Sequence, residues 1–202
     1  PDALDNTIEI FNKCKNIEIP FPKSIEEYHF PKFPTPQGFS EAEYFRKLCI
    51  EGFNRRFAGT NKLNDPIYVN RLKREMDTII GLNFPGYFLL VLDIVNFCKN
   101  NGIGVGPGRG SVGGSLVAFC LGITERIDPL EYDLLFERFL NAARKNAPDI
   151  DLDFESARRG EILDYLREKH GDDFTAQIIT FGAMKAKKAI AYSTKVLDYP
   201  FS

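Results

Sequence analysis

The chain has 202 residues, 44% of them hydrophobic and 27% charged, and carries a formal net charge of −2. Such a length and balance can bury one sizeable core with pieces of a second domain, which excludes a disordered polymer. The net charge does not announce a nucleic-acid binder, but metal-binding carboxylates lower such a sum while basic contacts remain local.

In chain order, Leu4, Ile8 and Phe11 recur at helical spacing and predict a helix over residues 3–15. Pro20, Pro22, Pro31, Pro34 and Pro36 then punctuate the stretch from Ile17 to Phe39. They exclude a long helix or central strand there and mark a crossing between domains. Ser40 with Glu43 forms a capping box before Tyr44, Phe45, Leu48, Cys49 and Phe53. Asp65-Pro66 opens a second helix that turns Val69, Leu72, Met76, Ile79 and Ile80 inward and stops at Gly81. A third, apolar almost all round and so buried, runs from about Gly86 to Asn100.

Ile103 to Val105 reads as a short strand and Ser111 to Leu121 as a helix of small residues. Asp128-Pro129 caps a helix carrying Leu130, Leu134, Leu135, Phe139 and Leu140. Asp149 to Phe154 alternates strictly, which is strand periodicity. A helix from Arg158 to His170, a second strand from Thr175 to Phe181 and a lysine-rich helix opening at Gly182 complete the chain. The expected class is α+β, helix-rich, with a small mixed sheet. Cys14, Cys49, Cys98 and Cys120 lack metal-ligand spacing and read as reduced, cytosolic thiols. The apolar stretch Tyr87 to Val95 is too short to span a bilayer, and the expectation is a cytoplasmic protein with no membrane partner.

Two stretches could carry chemistry. In Gly106-Pro107-Gly108-Arg109-Gly110-Ser111, the glycines let backbone N–H groups approach a ligand, while Arg109 and Ser111 add side-chain donors. A helix starting near Ser111 would add its positive end, making a phosphate cradle. The bland alternative is a tight turn with close helix packing. A Walker loop fails because Gly110, not lysine, precedes Ser111. In Asp149-Ile150-Asp151-Leu152-Asp153-Phe154, alternation puts three carboxylates on one face, neighbours roughly 7 Å apart along the backbone. Uncompensated they repel, so a divalent cation is the natural reason for the pattern, and an exposed acidic edge strand the alternative. A calcium loop of the EF-hand type is excluded, since Phe154 and Gly160 stand where glycine and glutamate are required. A phosphate cradle with a carboxylate pair is what nucleotidyl transfer requires.

These residues resemble the C-family replicases, the alpha subunits of bacterial DNA polymerase III. The likeness rests on Phe84-Pro-Gly-Tyr-Phe88, the loop Val105 to Ser111, Asp128-Pro129-Leu130, Leu134 to Asn141, Pro148 to Phe154 and Gln177 to Gly182, in that order. Residues 3–14 resemble the closing helix of the polymerase-and-histidinol-phosphatase (PHP) domain. The resemblance implies a partial beta-type nucleotidyltransferase palm: residues 1–30 would end the preceding domain, 31–182 form the first part of the palm and 183–202 start the thumb. It implies that Asp151 and Asp153 are the first two catalytic, metal-holding aspartates, with Asp149 in support. Arg109, Gly110 and Ser111 would hold the triphosphate, and Arg138, Arg144 and Lys187 are candidate nucleotide or DNA contacts.

Two Mg²⁺ ions, for which Mn²⁺ could substitute, are the implied cofactors. Primer–template DNA, deoxynucleotides, a sliding clamp and other replicase subunits are the implied partners in DNA replication. Two local departures, Asn146-Ala147 for the family's Ser-Met and Ala191-Tyr192 for its Arg-Asp, bear on DNA contacts rather than on the metal site. The family's third catalytic aspartate lies beyond Ser202, so the chain is expected to be a fragment that does not polymerise DNA alone. The rival reading is a non-catalytic nucleic-acid-binding module with a structural cation; a dinucleotide-dependent oxidoreductase is a distant third.

Overall fold

The computed structural model describes residues 2–17, 32–141 and 147–199, and most of what it describes is helix. Helix α1, Asp2–Cys14, turns Leu4, Ile8 and Phe11 to one exposed stripe. Most of the proline-rich connector, with its domain boundary, lies outside the described residues.

Helix α2, Glu41–Phe57, starts on the expected capping box: Ser40 Oγ accepts from Glu43 N–H at 3.3 Å, and Ser40 N–H donates to Glu43 Oε2 at 2.8 Å. Phe45, Cys49, Phe53 and Phe57 recur every fourth residue and are buried together. Helix α3, Pro66–Gly81, is capped by Asp65, whose Oδ1 accepts from Ile67 N–H at 2.8 Å. It buries Tyr68, Leu72, Met76 and Ile79, leaving Val69 outside. Helix α4, Pro85–Asn100, buries Phe88, Leu89, Val91, Leu92, Val95 and Cys98 on several sides, as its composition demands.

All six residues of α5, Leu116–Leu121, are buried against α2 and α3. The approach is close enough that a Cβ on Gly52 of α2 would lie 2.2 Å from the Cys120 carbonyl oxygen. Gly52→Ala is therefore expected to destabilise the chain by about 1–3 kcal/mol, although alanine is the better helix former. Urea denaturation measures this, and an unchanged midpoint would mean that α2 and α5 separate freely.

The expected α+β class does not hold: among the described residues there is no β-strand and no sheet. The acidic segment is extended, but among the described residues it pairs only through two isolated antiparallel bridges, Val105 with Phe154 and Arg109 with Asp151. Its partner is the glycine loop, where Pro107 lacks an N–H and Gly108 and Gly110 take φ of +100° and +73°, so no ladder propagates. The sheet-built palm drawn from the resemblance falls with it. Thr175 to Phe181 is likewise irregular, with Ile178 and Phe181 almost fully exposed.

Three helix expectations also change. Asp128 caps only a turn, accepting from Leu130 N–H at 3.0 Å; Asp133, at φ +50°, diverts the chain before a 3-10 turn at Phe136–Arg138. Residues Gly110–Gly114 form a 3-10 turn, and the α-helix proper starts at Leu116. After α6, Arg159–His170, the last helix, α7, runs Ala186–Val196 from Lys185 rather than from Gly182. The chain divides into two units, Pro1–Ile162 and Leu163–Ser202.

Candidate functional site

The glycine loop and the acidic segment run side by side. Gly106 N–H donates to the Asp153 carbonyl at 2.8 Å and Glu155 N–H donates to the Gly104 carbonyl at 2.9 Å. Alternate glycines of the loop face acidic residues: a Cβ at Gly104 would meet the Glu155 Cβ at 3.6 Å, and one at Gly106 the Asp153 Cβ at 3.0 Å. At Gly110, in the left-handed region, a Cβ would stand 3.2 Å from Asp151 Oδ2. The Asp151 carboxylate thus lies against the turn that carries Ser111. Any side chain at Gly110 would be strained and would crowd that carboxylate.

The apolar half of the acidic segment holds this arrangement. Ile150 and Leu152 pack on the main core, and Phe154 joins Val105 on a second cluster of Cys98, Ile103 and Ile162. Asp149, Asp151 and Asp153 point outward and are exposed, as the alternation requires. Ile150 N–H donates to Tyr87 Oη at 3.3 Å. Burial pushes the Tyr87 hydroxyl pKa up, and Asp149 and Asp151 add to it.

A cleft of about 480 Å³ is lined by Gly110, Ser111, Gly114, Asp133, Leu134, Leu135 and Arg138. Arg138 reaches it from a turn anchored by buried Phe136 and Phe139, whose rings meet edge to face. Gly110, Ser111 and Arg138 thus line one cleft, while Arg109 and Asp151 are bridged to each other beside Gly110 and Asp153 follows two residues along the segment. Lys187 lies exposed on α7 in the second unit, and Arg144 lies outside the described residues.

One expectation about the cradle is corrected. The turn at 110–114 has no α-helix behind its first residues, so no helix dipole points from Ser111 into the cleft. The positive end of α5 is already taken: Glu75 accepts from Leu116 N–H at 3.1 Å, Val117 N–H at 3.0 Å and Ser115 Oγ at 2.9 Å. What remains exposed is the start of the 3-10 turn with the side chains of Ser111, Arg109 and Arg138.

Several supports escaped the sequence reading. Glu75 is fully buried and bonds Arg71 one turn earlier in α3. Burial pushes its carboxyl pKa up, against the pull of Val117 N–H, Arg71 and Leu116 N–H. A charged residue on the inward stripe of α3, between Leu72 and Ile79, is the signal that could have revealed it. At the other end of α5, Arg56 donates to the carbonyls of Phe119 and Thr124 and stacks on the Phe119 ring, while Lys99 donates to the Gly122 carbonyl at 2.9 Å. Thr124 in turn supports the loop, since a Cβ on Gly108 would lie 2.6 Å from its Cγ2, and Glu125 N–H donates to the Pro107 carbonyl at 2.8 Å.

As a metal site the arrangement supplies two hard oxygen donors, Asp151 and Asp153, neither in an ion pair among the described residues. No three His, Cys, Asp or Glu side chains gather to hold a cation among those residues. The carboxylates suit a divalent cation that draws further ligands from elsewhere. Among the described residues no single helix is long and apolar enough to cross a membrane.

Residues 43–202 match the family described as the bacterial DNA polymerase III alpha NTPase domain. The chain is similar to the DNA polymerase III subunit alpha of Pseudomonas fluorescens, 47% identical over 198 residues, covering 94% of this chain and 16% of that protein. It is similar also to the subunit alpha of Borreliella burgdorferi, 45% identical over 204 residues, and of Escherichia coli K12, 42% identical over 207 residues. Each of those two comparisons covers 100% of this chain and 17% of the relative, so the chain spans about one sixth of the proteins it matches. With four-fifths of its length inside that match, the chain belongs to the bacterial DNA polymerase III alpha family.

Proposed function

We propose that this segment contributes the triphosphate cradle and two metal-holding carboxylates to a replicative DNA-directed DNA polymerase. The observation that carries the proposal is the Asp151 carboxylate lying against Gly110, which lines a cleft together with Ser111 and Arg138. Ser111 and the turn's N–H groups would bond the phosphate oxygens, while Arg109 and Arg138 offset their charge. Asp151 and Asp153 would hold the cation pair, Mg²⁺ by choice of hard oxygen ligands. When bound, such ions activate a primer 3′-hydroxyl and stabilise the departing pyrophosphate. Tyr87 fixes the backbone just before Asp151 by accepting from Ile150 N–H, and Asp149 has a supporting role.

The substrates of this reading are deoxynucleotides on primer–template DNA. The partners of the full-length protein would be a sliding clamp and other replicase subunits, in the cytoplasm. Lys187 and Arg144 are assigned to DNA on the resemblance alone. The same resemblance assigns residues 1–30 to the end of a preceding domain and 183–202 to the start of a following one.

The test is primer extension by the full-length parent, with primer–template binding measured in parallel, for wild type, Asp151→Asn and Asp153→Asn. Loss of extension with binding retained supports the reading. Extension that survives in both variants reduces the acidic segment to structure and favours a non-catalytic nucleic-acid-binding module. The 202-residue chain alone is expected to give no extension, because two carboxylates do not complete the metal site. Template-directed synthesis by it, abolished in Asp151→Ala, would refute that.

A further inference from the structure

The two walls of the cleft come from separate stretches of chain, the glycine turn and the segment ending at Arg138. They meet at the base, where a Cβ on Gly114 would lie 2.7 Å from the Leu135 carbonyl oxygen. One side chain reaches both. Arg71 Nη2 donates to the Gly114 carbonyl at 2.7 Å and to the Leu134 carbonyl at 2.9 Å, while its Nε donates to Glu75 Oε1. The Arg71 side chain is 13% exposed and that of Glu75 not at all, so packing leaves the guanidinium little freedom. Glu75 is itself fixed by three further donors, Ser115 Oγ and the N–H groups of Leu116 and Val117. A planar guanidinium can serve three acceptors in fixed directions at once, which the point charge of a lysine cannot reproduce.

We propose that Arg71, held by Glu75, is a positioning residue that sets the separation between the glycine turn and Arg138, and with it the fit of the nucleotide's phosphate chain in the cleft. This inference rests on the nucleotide reading of that cleft. Arg71 bonds the walls through their carbonyls, and donors displaced from a phosphate by a fraction of an ångström lose much of their bond.

The experiment uses the full-length polymerase with its active fraction titrated, and measures kcat and the separate KM values for deoxynucleotide and for primer–template. Arg71→Lys is expected to raise the nucleotide KM by roughly tenfold or more while leaving the primer–template KM unchanged. Glu75→Gln, which keeps the shape of the support but weakens its hold on Arg71, is expected to shift the nucleotide KM the same way by less. A purely structural role would lower the active fraction and leave the nucleotide KM alone, because KM does not depend on the amount of enzyme. An unchanged nucleotide KM overturns the proposal, as does an equal rise in both KM values. Should Arg71→Lys leave no active enzyme, Glu75→Gln decides by the same criterion. The two failures are distinct: extension surviving in both Asp151→Asn and Asp153→Asn sinks the nucleotide reading, whereas an unmoved KM in Arg71→Lys sinks only the role of Arg71.

Discussion

In the full-length polymerase, Asp151→Asn is expected to slow single-turnover nucleotide incorporation by about a thousandfold or more, and Asp149→Asn by less than about tenfold. Asparagine preserves the size of the side chain and one acceptor oxygen but removes the charge on which a hard cation depends. The two aspartates belong to the same outward face, and the structure separates them. Asp151 stands against the turn that carries Ser111, its Oδ2 3.2 Å from the position a Gly110 Cβ would take. Asp149 is two residues upstream, beside the point where Ile150 N–H is tied to Tyr87. Its charge acts on the neighbourhood rather than on the cleft. Equal losses in the two variants would mean that the acidic face works as one electrostatic patch, and the assignment of Asp151 to the metal would fail.

The second large effect is on stability. Glu75→Ala is expected to cost the 202-residue chain about 3–5 kcal/mol, a large share of the roughly 5–15 kcal/mol that holds a typical domain together. Deleting the carboxylate strands four donors in a buried site: the Arg71 guanidinium, the Ser115 hydroxyl and the N–H groups of Leu116 and Val117. Glu75→Gln is expected to cost less. The amide keeps the size of the side chain, and its oxygen still accepts from part of the same set. Urea denaturation of the three proteins orders them. A Glu75→Ala protein within about 1 kcal/mol of wild type would show that the network contributes little.

Most of the helical body was legible in the sequence because its signals are local. The Ser40–Glu43 box, the Asp65-Pro66 start and the four-residue spacing of Phe45, Cys49, Phe53 and Phe57 each act within a few residues, and the structure shows all three. The alternation of Ile150, Leu152 and Phe154 likewise gave the correct face for the three aspartates. Alternation reports an extended backbone with one buried side, however, and says nothing about whether a neighbour can complete a ladder. Here the neighbour is a loop of Gly106, Pro107 and Gly108, so a segment with strand pattern has no sheet to join. The helix expected from Asp128 failed for a related reason. Phe139 and Leu140 are buried, but Leu135 is left exposed and Asp133 at φ +50° redirects the chain, a tertiary choice that no periodicity records. Arg71 and Glu75 were hidden because their partners outside α3 lie forty or more positions away.

Those long reaches govern the order in which the chain can organise itself. Ser115 meets Glu75 across 40 positions and Arg56 meets Thr124 across 68, each closing a long loop at an entropic cost. A six-residue helix is too short to persist in water on its own, so α5 must wait until α2 and α3 offer it a surface. The glycine turn, built on α5, waits with it. On a ribosome the acidic segment emerges later still and settles onto a turn already in place. The pairing of the acidic segment with the glycine turn would then be the last thing this segment acquires and the first it loses under thermal stress, while its helical body persists.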